Sequence, residues 1–221
     1  CVSNQIKVHM QELYEFNSTL FYFKEQPISI EPEYGREWNV KQPLKIGYAA
    51  RMVRQQKRAD LLVDLIACLE NRKIDYVFSI AGEGECVSIL EDYIATNQLE
   101  NKIHLLGRLP KEKMPEFWKG QEVFVNISEY EGTSLSMLEA MSYGCVPVTT
   151  DVSGAREFIE EHLNGYIRPI GDIGGVASCI EELAYDREKL KSYGTLCQQI
   201  IKERCNPEEY IDYWMTNILP A

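Results

Sequence analysis

Two glutamates eight residues apart, Glu131 and Glu139, lie in the stretch SEYEGTSLSMLEAMSYGCVPV (128–148). Between them Gly-Thr-Ser predicts a turn, and Thr133 or Ser134 is a suitable N-cap for a following helix. At about 1.5 Å of rise per residue, the two carboxylates lie up to roughly 12 Å apart. Glu131 can accept hydrogen bonds from a polyol, and the first N–H groups of the helix suit an anion or a hydroxyl.

Each carboxylate also has a purely local explanation. Glu131 can be solvated at the mouth of the loop. Ser136-x-x-Glu139 matches a capping box, in which the glutamate closes its own helix. Against this, Glu139 stands among apolar residues of a helix, where a buried carboxylate needs a partner.

A basic cluster precedes another predicted helix, in the segment ARMVRQQKRAD (50–60). Its members are Arg51, Arg54, Lys57 and Arg58. They lie between the end of a strand and the start of a helix, where proteins bind phosphate groups. The alternative is ordinary solvated loop charge.

Two further loops carry weaker signals. In AGEGECV, Gly82 and Gly84 form G-x-G, but Val87 replaces the third glycine of the dinucleotide fingerprint, and two glutamates would repel a pyrophosphate. This argues against a dehydrogenase and favours a tight turn, with close approach to a ligand as the alternative. Gly107 to Leu109 either line a pocket for a flat ring or simply connect a strand to a helix.

Composition excludes several classes of protein. With 34 acidic and 23 basic residues the net charge is −11, which disfavours a nucleic-acid partner. Seven cysteines without C-x-x-C spacing predict free core thiols in a reducing cytoplasm, and three scattered histidines give no metal signature. The apolar stretch LLVDLIACL is interrupted by Asp64 and is too short for a transmembrane segment.

The elements that must position these residues alternate between short apolar runs and helical patterns. Strands are predicted at 44–50, 74–82, 102–109, 122–128, 145–150 and 165–170. Helices are predicted around 58–72, 85–97, 110–120, 134–144, 155–164, 172–185, 187–204 and 207–218. This order predicts an α/β fold with a doubly wound, mainly parallel sheet and helices on both faces. Ligands of such sheets bind at the carboxyl ends of the strands.

Residues 1–43 do not follow this alternation. They contain a possible helix (2–16), two short β-like runs, TLFYF and PISI, and a polar segment broken by Pro and Gly. We interpret 1–43 as a linker or remnant of a preceding domain, 44–206 as a Rossmann-like domain, and 207–221 as a terminal helix. The chain starts at Cys1, so we expect a piece of a longer protein.

Taken together, these motifs resemble one enzyme family. SEYEGTSLSMLEAMSYGCVPVTT resembles the S-x-x-E-G…L-E-A-M-x-x-G-x-P-V signature of retaining GT-B glycosyltransferases of the family-4 type, the glycosyl transferases group 1. Its E-x7-E pair falls on Glu131 and Glu139. GYAARMVRQQKRADLLVDLI is similar to the family's G-R-L…K-G segment, and AGEGE, KIHLLGRL, SGAREFI and NGYI match lesser blocks in the same order. The resemblance covers about residues 44–218.

The resemblance implies a role for each motif residue. Glu139 would hold the ribose hydroxyls of a UDP- or GDP-sugar, and Glu131 would contact the donor sugar. Arg51 and Lys57 would neutralise the leaving diphosphate without a metal cofactor. The backbone N–H groups of four residues would bind sugar hydroxyls or phosphate: Gly132, Thr133, Ser134 and Leu135. Retention in this family is explained by front-face attack, so no covalent nucleophile is assigned.

The sequence departs from the family at Ala50 and Arg58, where glycines are expected, which puts the fine geometry of the loop in doubt. We expect an acceptor-binding N-terminal domain to be missing, and the last helix to cross back toward it. This chain would then be the donor-binding half of a cytoplasmic enzyme, peripheral at the inner face of the membrane, which acts on a glycan or lipid-linked acceptor and is inactive alone. The alternatives are a non-catalytic sugar-nucleotide-binding module and, below it, a GT-B-like sugar-nucleotide epimerase.

Overall fold

A computed structural model describes residues 4–14, 24–25, 27–28, 38 and 42–217 of the chain. The described residues form a six-stranded, all-parallel sheet in the order β3-β2-β1-β4-β5-β6. Its strands are β1 (Leu44–Ala49), β2 (Tyr76–Ala81), β3 (Ile103–Gly107), β4 (Val123–Asn126), β5 (Val146–Thr150) and β6 (Tyr166–Arg168). All six predicted strands are confirmed, each within its predicted range, and so is the doubly wound α/β fold.

The helices follow the strands as predicted. They are α1 (Asn4–Tyr14), α2 (Leu62–Asn71), α3 (Val87–Thr96), α4 (Met114–Lys119), α5 (Leu135–Ser142), α6 (Ala155–Phe158), α7 (Ile173–Tyr185), α8 (Arg187–Arg204) and α9 (Pro207–Asn217). Short 3-10 turns precede α2 at Ala59–Leu61 and α4 at Lys111–Lys113. Helix α6 has only four residues, so the longer helix predicted at 155–164 is wrong.

Side chains of the central strands alternate between two apolar layers. Val123 and Val125 of β4 belong to the layer formed with α2, α3 and α7, whereas Phe124 belongs to the layer formed with α4, α5 and α8. All three residues are almost completely buried. Strands covered on both faces must be apolar throughout, which explains why they appear in the sequence as continuous apolar runs.

Helix α1 confirms the helix predicted near the N-terminus. The side chain of Glu157, in α6, accepts hydrogen bonds from the main-chain N–H groups of Asn4 and Gln5 (2.7 and 3.2 Å). The run TLFYF lies outside the described residues, as do the second half of PISI and most of the segment 31–43. The division at residues 43 and 206 stays a prediction.

Six cysteines in the described part carry free thiols, and all but Cys68 are buried. Free core thiols are therefore confirmed for these residues. No helix in the described ranges combines the length and the apolar character that crossing a bilayer requires.

Candidate functional site

The candidate site lies where the sheet changes direction. Strands β1 and β4 are neighbours in the sheet, with Ile46 opposite Val123, although two strands separate them in the chain. From this point the chain builds β2 and β3 on one side and β5 and β6 on the other. The loops after β1 and β4 therefore flank the crevice in which doubly wound sheets bind ligands.

Lys57 and Glu131 contact each other in this crevice. The Lys57 ammonium donates to Glu131 Oε1, and the two side chains are only 16% and 10% exposed. The structure thus brings together two residues to which the sequence assigned catalytic roles, one from each loop. Both charges are largely removed from water. Loss of either partner would therefore be destabilising, because it would leave a poorly hydrated charge without a counter-charge.

Arg51 is exposed and is oriented by a residue that the sequence did not single out. Its guanidinium donates to Gln56 Oε1 (2.7 Å), and the main-chain oxygen of Gln56 accepts from the N–H of Glu129 (2.9 Å). The amide of Gln56 also reaches the main-chain oxygen of Tyr130 (3.4 Å). Gln56 therefore joins the loop after β1 to the loop after β4. A glutamine within a basic segment carries no local signal of this role.

A pocket of about 440 Å³ opens beside this junction. Its lining residues come from the carboxyl ends of β1, β2 and β3 and from α4 and α5: Ala49, Ala50, Arg51, Ala81, Gly82, Glu83, Arg108, Leu109, Met114, Ser136 and Glu139. The volume lies within the range of small-molecule sites. Arg51 and Glu139 thus share one pocket. Of the Gly107–Leu109 segment, for which a pocket wall and a plain connection were the two alternatives, Arg108 and Leu109 line the pocket.

The remaining predicted residues lie beside this pocket rather than in its wall. Lys57, Glu131 and the segment from Gly132 to Leu135 are absent from its lining. Helix α5 begins at Leu135, and the side chain of Ser134 caps it by accepting from the N–H of Met137 (3.3 Å). Of the two N-cap candidates, Ser134 is confirmed. The start of this helix leaves N–H groups without intrahelical acceptors next to the pocket.

Glu139 lines the pocket and does not cap its own helix. Since Ser134 is the N-cap, Ser136 lies inside the helix and the Ser136–Glu139 capping box is wrong. Burial raises the pKa of the Glu139 carboxyl above its ordinary value of 4.5, and the Trp118 indole N–H and Lys111 oppose part of that rise. The Trp118 N–H is itself buried and makes no hydrogen bond of standard geometry within the described residues. Glu139 is therefore a partly desolvated acceptor on the pocket wall.

Gly82 and Gly84, in the loop after β2, allow a close contact within the protein. A Cβ atom on Gly82 would lie 2.0 Å from Ala50 O, and one on Gly84 would lie 2.5 Å from Met52 O. The main chains are joined there, because Met52 N donates to Glu83 O (2.8 Å) and Cys86 N donates to Met52 O (2.9 Å). These glycines thus allow a close approach of the main chain to the loop after β1. Gly82 also lines the pocket, and the alternative of an approach to a ligand stays a prediction.

Arg58 explains one departure from the family pattern. Its backbone is left-handed (φ 48°, ψ 37°), a conformation that glycine adopts without strain and that costs other residues about 1 kcal/mol. The Arg58 side chain in return approaches Glu129 (3.4 Å) across the two loops. The loop therefore has the left-handed backbone conformation that glycine favours. Arginine at this position adds backbone strain and leaves the course of the loop unchanged.

Three more residues at or beside Glu131 emerge only from the structure: Ser128, Asn126 and Tyr48. The Ser128 hydroxyl lies 2.6 Å from Asn126 Oδ1 and 3.0 Å from Glu131 Oε1. The Tyr48 hydroxyl is buried in β1, where burial and then the charge of Glu131 raise its pKa, so it stays protonated. Among the described residues, no group of three or more His, Cys, Asp or Glu side chains is placed to hold a metal ion.

Comparisons with known proteins identify the family of this chain. A family model described as glycosyl transferases group 1 matches residues 32–197. The chain is 29% identical to the poly(ribitol-phosphate) alpha-N-acetylglucosaminyltransferase of Staphylococcus aureus strain COL, over 77% of this chain and 34% of that protein. It is 25% identical to the N-acetyl-alpha-D-glucosaminyl L-malate synthase of Bacillus anthracis, over 94% of this chain and 52% of that protein. The chain thus spans about a third to a half of these relatives' length.

Solved structures show the same fold. A structure of S. aureus TarM superposes with a TM-score of 0.85 at 23% identity, over 97% of this chain and 42% of that one. Pneumococcal GtfA gives 0.76 at 22% identity, over 96% and 42%. The described sheet and helices therefore form the Rossmann-like domain found in GT-B glycosyltransferases.

Proposed function

This chain belongs to the glycosyl transferases group 1 family, and from that premise we propose that it binds the donor in the transfer of a glycosyl unit from a nucleotide-diphosphate sugar. The acceptor would be a glycan or a lipid-linked glycan, and the anomeric configuration would be retained. The family supports a transferase, and relatives carry the names of N-acetylglucosaminyl- and galactosyltransferases. The acceptor would contact a preceding domain.

The observation that carries the proposal is that the pocket lies next to the Lys57–Glu131 pair. Glu139 and Arg51 line the pocket, and Arg51 contacts Gln56, which joins the loop after β1 to the loop after β4. A nucleoside in this pocket would present its ribose hydroxyls to Glu139. Its diphosphate would lie toward Arg51, Lys57 and the start of α5, and the sugar would reach Glu131.

The arrangement suits the charge that develops during transfer. Cleavage of the glycosyl–phosphate bond builds negative charge on the diphosphate and positive charge near the anomeric carbon. Two cationic side chains and a helix N-terminus would face the first charge once Lys57 has turned from Glu131, and we propose that they act without a metal ion. The carboxylate of Glu131 would orient the sugar and face the second charge.

Uridine is the base that the relatives favour. Relatives named for UDP-linked donors include a UDP-N-acetylglucosamine–peptide N-acetylglucosaminyltransferase subunit of Streptococcus agalactiae and a UDP-Gal-dependent galactosyltransferase of Escherichia coli. We therefore extend the proposal to UDP-sugars, with GDP-sugars as the comparison in the test. The proposed setting is the cytoplasm, at the inner face of the membrane.

A thermal-shift screen with UDP, GDP, ADP and their sugars tests the proposal. A ligand at about 100 times its Kd should stabilise the chain by roughly 2.7 kcal/mol. The shift should be lost in Glu139→Ala and Lys57→Ala and kept in Lys113→Ala, a control at an exposed lysine outside the pocket. Absence of a shift with every nucleotide would contradict the proposal and favour an interaction module.

A transfer assay separates binding from catalysis. The 221-residue chain should bind the nucleotide yet give little or no transfer, because the acceptor side of the cleft would come from another domain. Sustained turnover by the chain alone would show that the proposed division of labour is wrong. Interconversion of UDP-sugars without an acceptor would instead indicate an epimerase.

A further inference from the structure

Ser128 and Asn126, at the carboxyl end of β4, form a buried hydrogen-bond chain that leads to Glu131. Ser128 is completely buried and Asn126 is 5% exposed. The main-chain N–H of Ser128 donates to Asn126 Oδ1 (3.0 Å), and the Ser128 hydroxyl lies 2.6 Å from that same oxygen. The hydroxyl is also 3.0 Å from Glu131 Oε1. Thr150 fixes the main chain here, since its hydroxyl donates to Ser128 O (2.6 Å).

The hydrogen-bond chain from Asn126 to Glu131 has one proton too few for its acceptors. A main-chain N–H can only donate, so the Asn126 atom that faces Ser128 must be the amide oxygen. The hydroxyl therefore lies between two acceptors, the Asn126 oxygen and the Glu131 carboxylate, and has a single proton to give. As Glu131 Oε1 already accepts from Lys57, the proton is available for the shorter contact, with Asn126.

Binding of a diphosphate changes this distribution. In the proposed function, the Lys57 ammonium moves toward the phosphates. Glu131, whose side chain is only 10% exposed, is then left without its cation. A carboxylate so placed needs another donor. A serine hydroxyl rotates to suit its neighbours, so the proton of Ser128 can turn from Asn126 to Glu131 without movement of heavy atoms.

We infer that Ser128 is a positioning residue for Glu131, holding the carboxylate toward the donor sugar once Lys57 has moved to the diphosphate. Asn126 holds the hydroxyl proton in the ligand-free state and releases it on binding. The inference rests on the proposed function. Tyr48 does not take this role in the described structure, because its buried hydroxyl makes no hydrogen bond.

The first test needs no ligand. Urea unfolding of Ser128→Ala, Lys57→Met and the double variant forms a double-mutant cycle. Because Glu131 depends on Ser128 when the ammonium is absent, we expect the loss in urea midpoint from Ser128→Ala to be about two-fold larger in the Lys57→Met background. The excess should vanish when Glu131→Gln is added. Additive losses would overturn the inference.

The second test measures binding of uridine, UDP and UDP-N-acetylglucosamine by calorimetry. Ser128→Ala should raise the Kd of UDP and of UDP-N-acetylglucosamine about ten-fold, because both carry the diphosphate that draws Lys57 away from Glu131. The Kd of uridine, which has no diphosphate, should change less than about two-fold. Ser128→Cys, which keeps a weak donor of similar size, should recover part of the loss. Thr150→Val is the matched control: it removes a buried hydroxyl from the same network and should affect all three ligands equally.

The two tests fail in different ways. If Ser128→Ala weakens uridine as much as it weakens UDP, Ser128 only stabilises the fold and the inference is wrong. If the unaltered chain binds none of the three ligands, the proposed function fails. The unfolding cycle still decides in that case whether Ser128 replaces Lys57 as the partner of Glu131.

Discussion

Lys57 contacts Glu131 in the described site, whereas the proposed function requires it to contact the diphosphate. Glu131→Gln keeps the shape of the side chain and removes its charge, so Lys57 no longer leaves an ion pair when it meets phosphate. We expect UDP to bind roughly three- to ten-fold more tightly, which corresponds to about 0.7–1.4 kcal/mol of binding free energy no longer spent on breaking the ion pair. Isothermal titration calorimetry measures this change.

The control for this variant is Glu129→Gln. Glu129 lies in the same loop, with its side chain half exposed and paired to Arg58 rather than to Lys57. Its substitution should leave the affinity for UDP unchanged. Weaker binding of UDP by Glu131→Gln would mean that the carboxylate itself supports the diphosphate, contrary to the proposed roles.

The ionised carboxylate of Glu139 should destabilise the fold, although the proposed function requires it. Burial raises its pKa above the ordinary value of 4.5, so the folded chain holds this proton to a higher pH than the unfolded chain. Unfolding free energy therefore falls as pH rises from the ordinary pKa through the raised one. Glu139→Gln should increase the melting temperature at pH 7 and leave it unchanged near pH 4.

The same variant should weaken UDP binding about ten-fold at pH 7, since an ionised carboxylate accepts hydrogen bonds from hydroxyls more strongly than an amide does. Differential scanning fluorimetry with and without UDP measures both effects. Glu91→Gln, at an exposed carboxylate on α3, is the control and should change neither. A lower melting temperature for Glu139→Gln at pH 7 would contradict the account.

Arg51, Lys57, Glu131 and Glu139 could be singled out by residue type, by spacing and by resemblance to a family signature, all of which are visible in the sequence. Gln56 and Asn126 were missed because their roles depend on partners in other loops. Gln56 lies 74 residues from Tyr130, whose main-chain oxygen it contacts. No local pattern encodes such a contact, since a glutamine or asparagine is equally common in solvated loops.

Among the elements, the strands were predicted well because burial on both faces makes them continuously apolar. Helix α6 was predicted too long because a side chain competes with its backbone. Asn164 accepts from Glu160 N (2.7 Å) and donates to Phe158 O (2.8 Å), and Ile159 is already extended. Such local amide bonds end a helix. The order of strands was not predictable, since it depends on pairing between distant segments.

The loop before α2 offers a test at the scale of an element. Arg58 holds a left-handed backbone, so Arg58→Gly and Arg58→Ala lose the same side-chain contacts but differ in strain. Arg58→Gly should be more stable than Arg58→Ala by about 1 kcal/mol. Urea denaturation measures the difference. Equal stabilities would mean that the loop relaxes out of this conformation.

At the scale of the whole molecule, the proposed anionic donor must approach an acidic protein, whose net charge is −11. The site pairs acids with bases, since the pocket wall carries Arg51 and Arg108 beside Glu83 and Glu139, and Lys57 contacts Glu131. A small anion could reach these few cations, whereas nucleic acid would meet the whole acidic surface. This agrees with the comparisons, in which matched relatives are named as glycosyltransferases.

Helix α9 provides the last prediction, because none of its residues is buried. Ile211 and Met215 lie one turn apart on the same face and are 58% and 54% exposed, as expected of a helix that packs against a further domain. Replacing both by glutamine should change the stability of this chain by less than about 1 kcal/mol and leave UDP binding intact.

In a longer polypeptide that carries a preceding domain, the same double substitution should lower the rate of glycosyl transfer. Tyr185→Gln, at a more exposed apolar residue that ends α7 (72% exposed), is the control and should not. Unfolding measurements on this chain and transfer assays on the longer one distinguish the two effects. If the α9 substitutions destabilise this chain as much as they reduce transfer, then α9 packs on the domain described here, and its proposed return to a preceding domain is wrong.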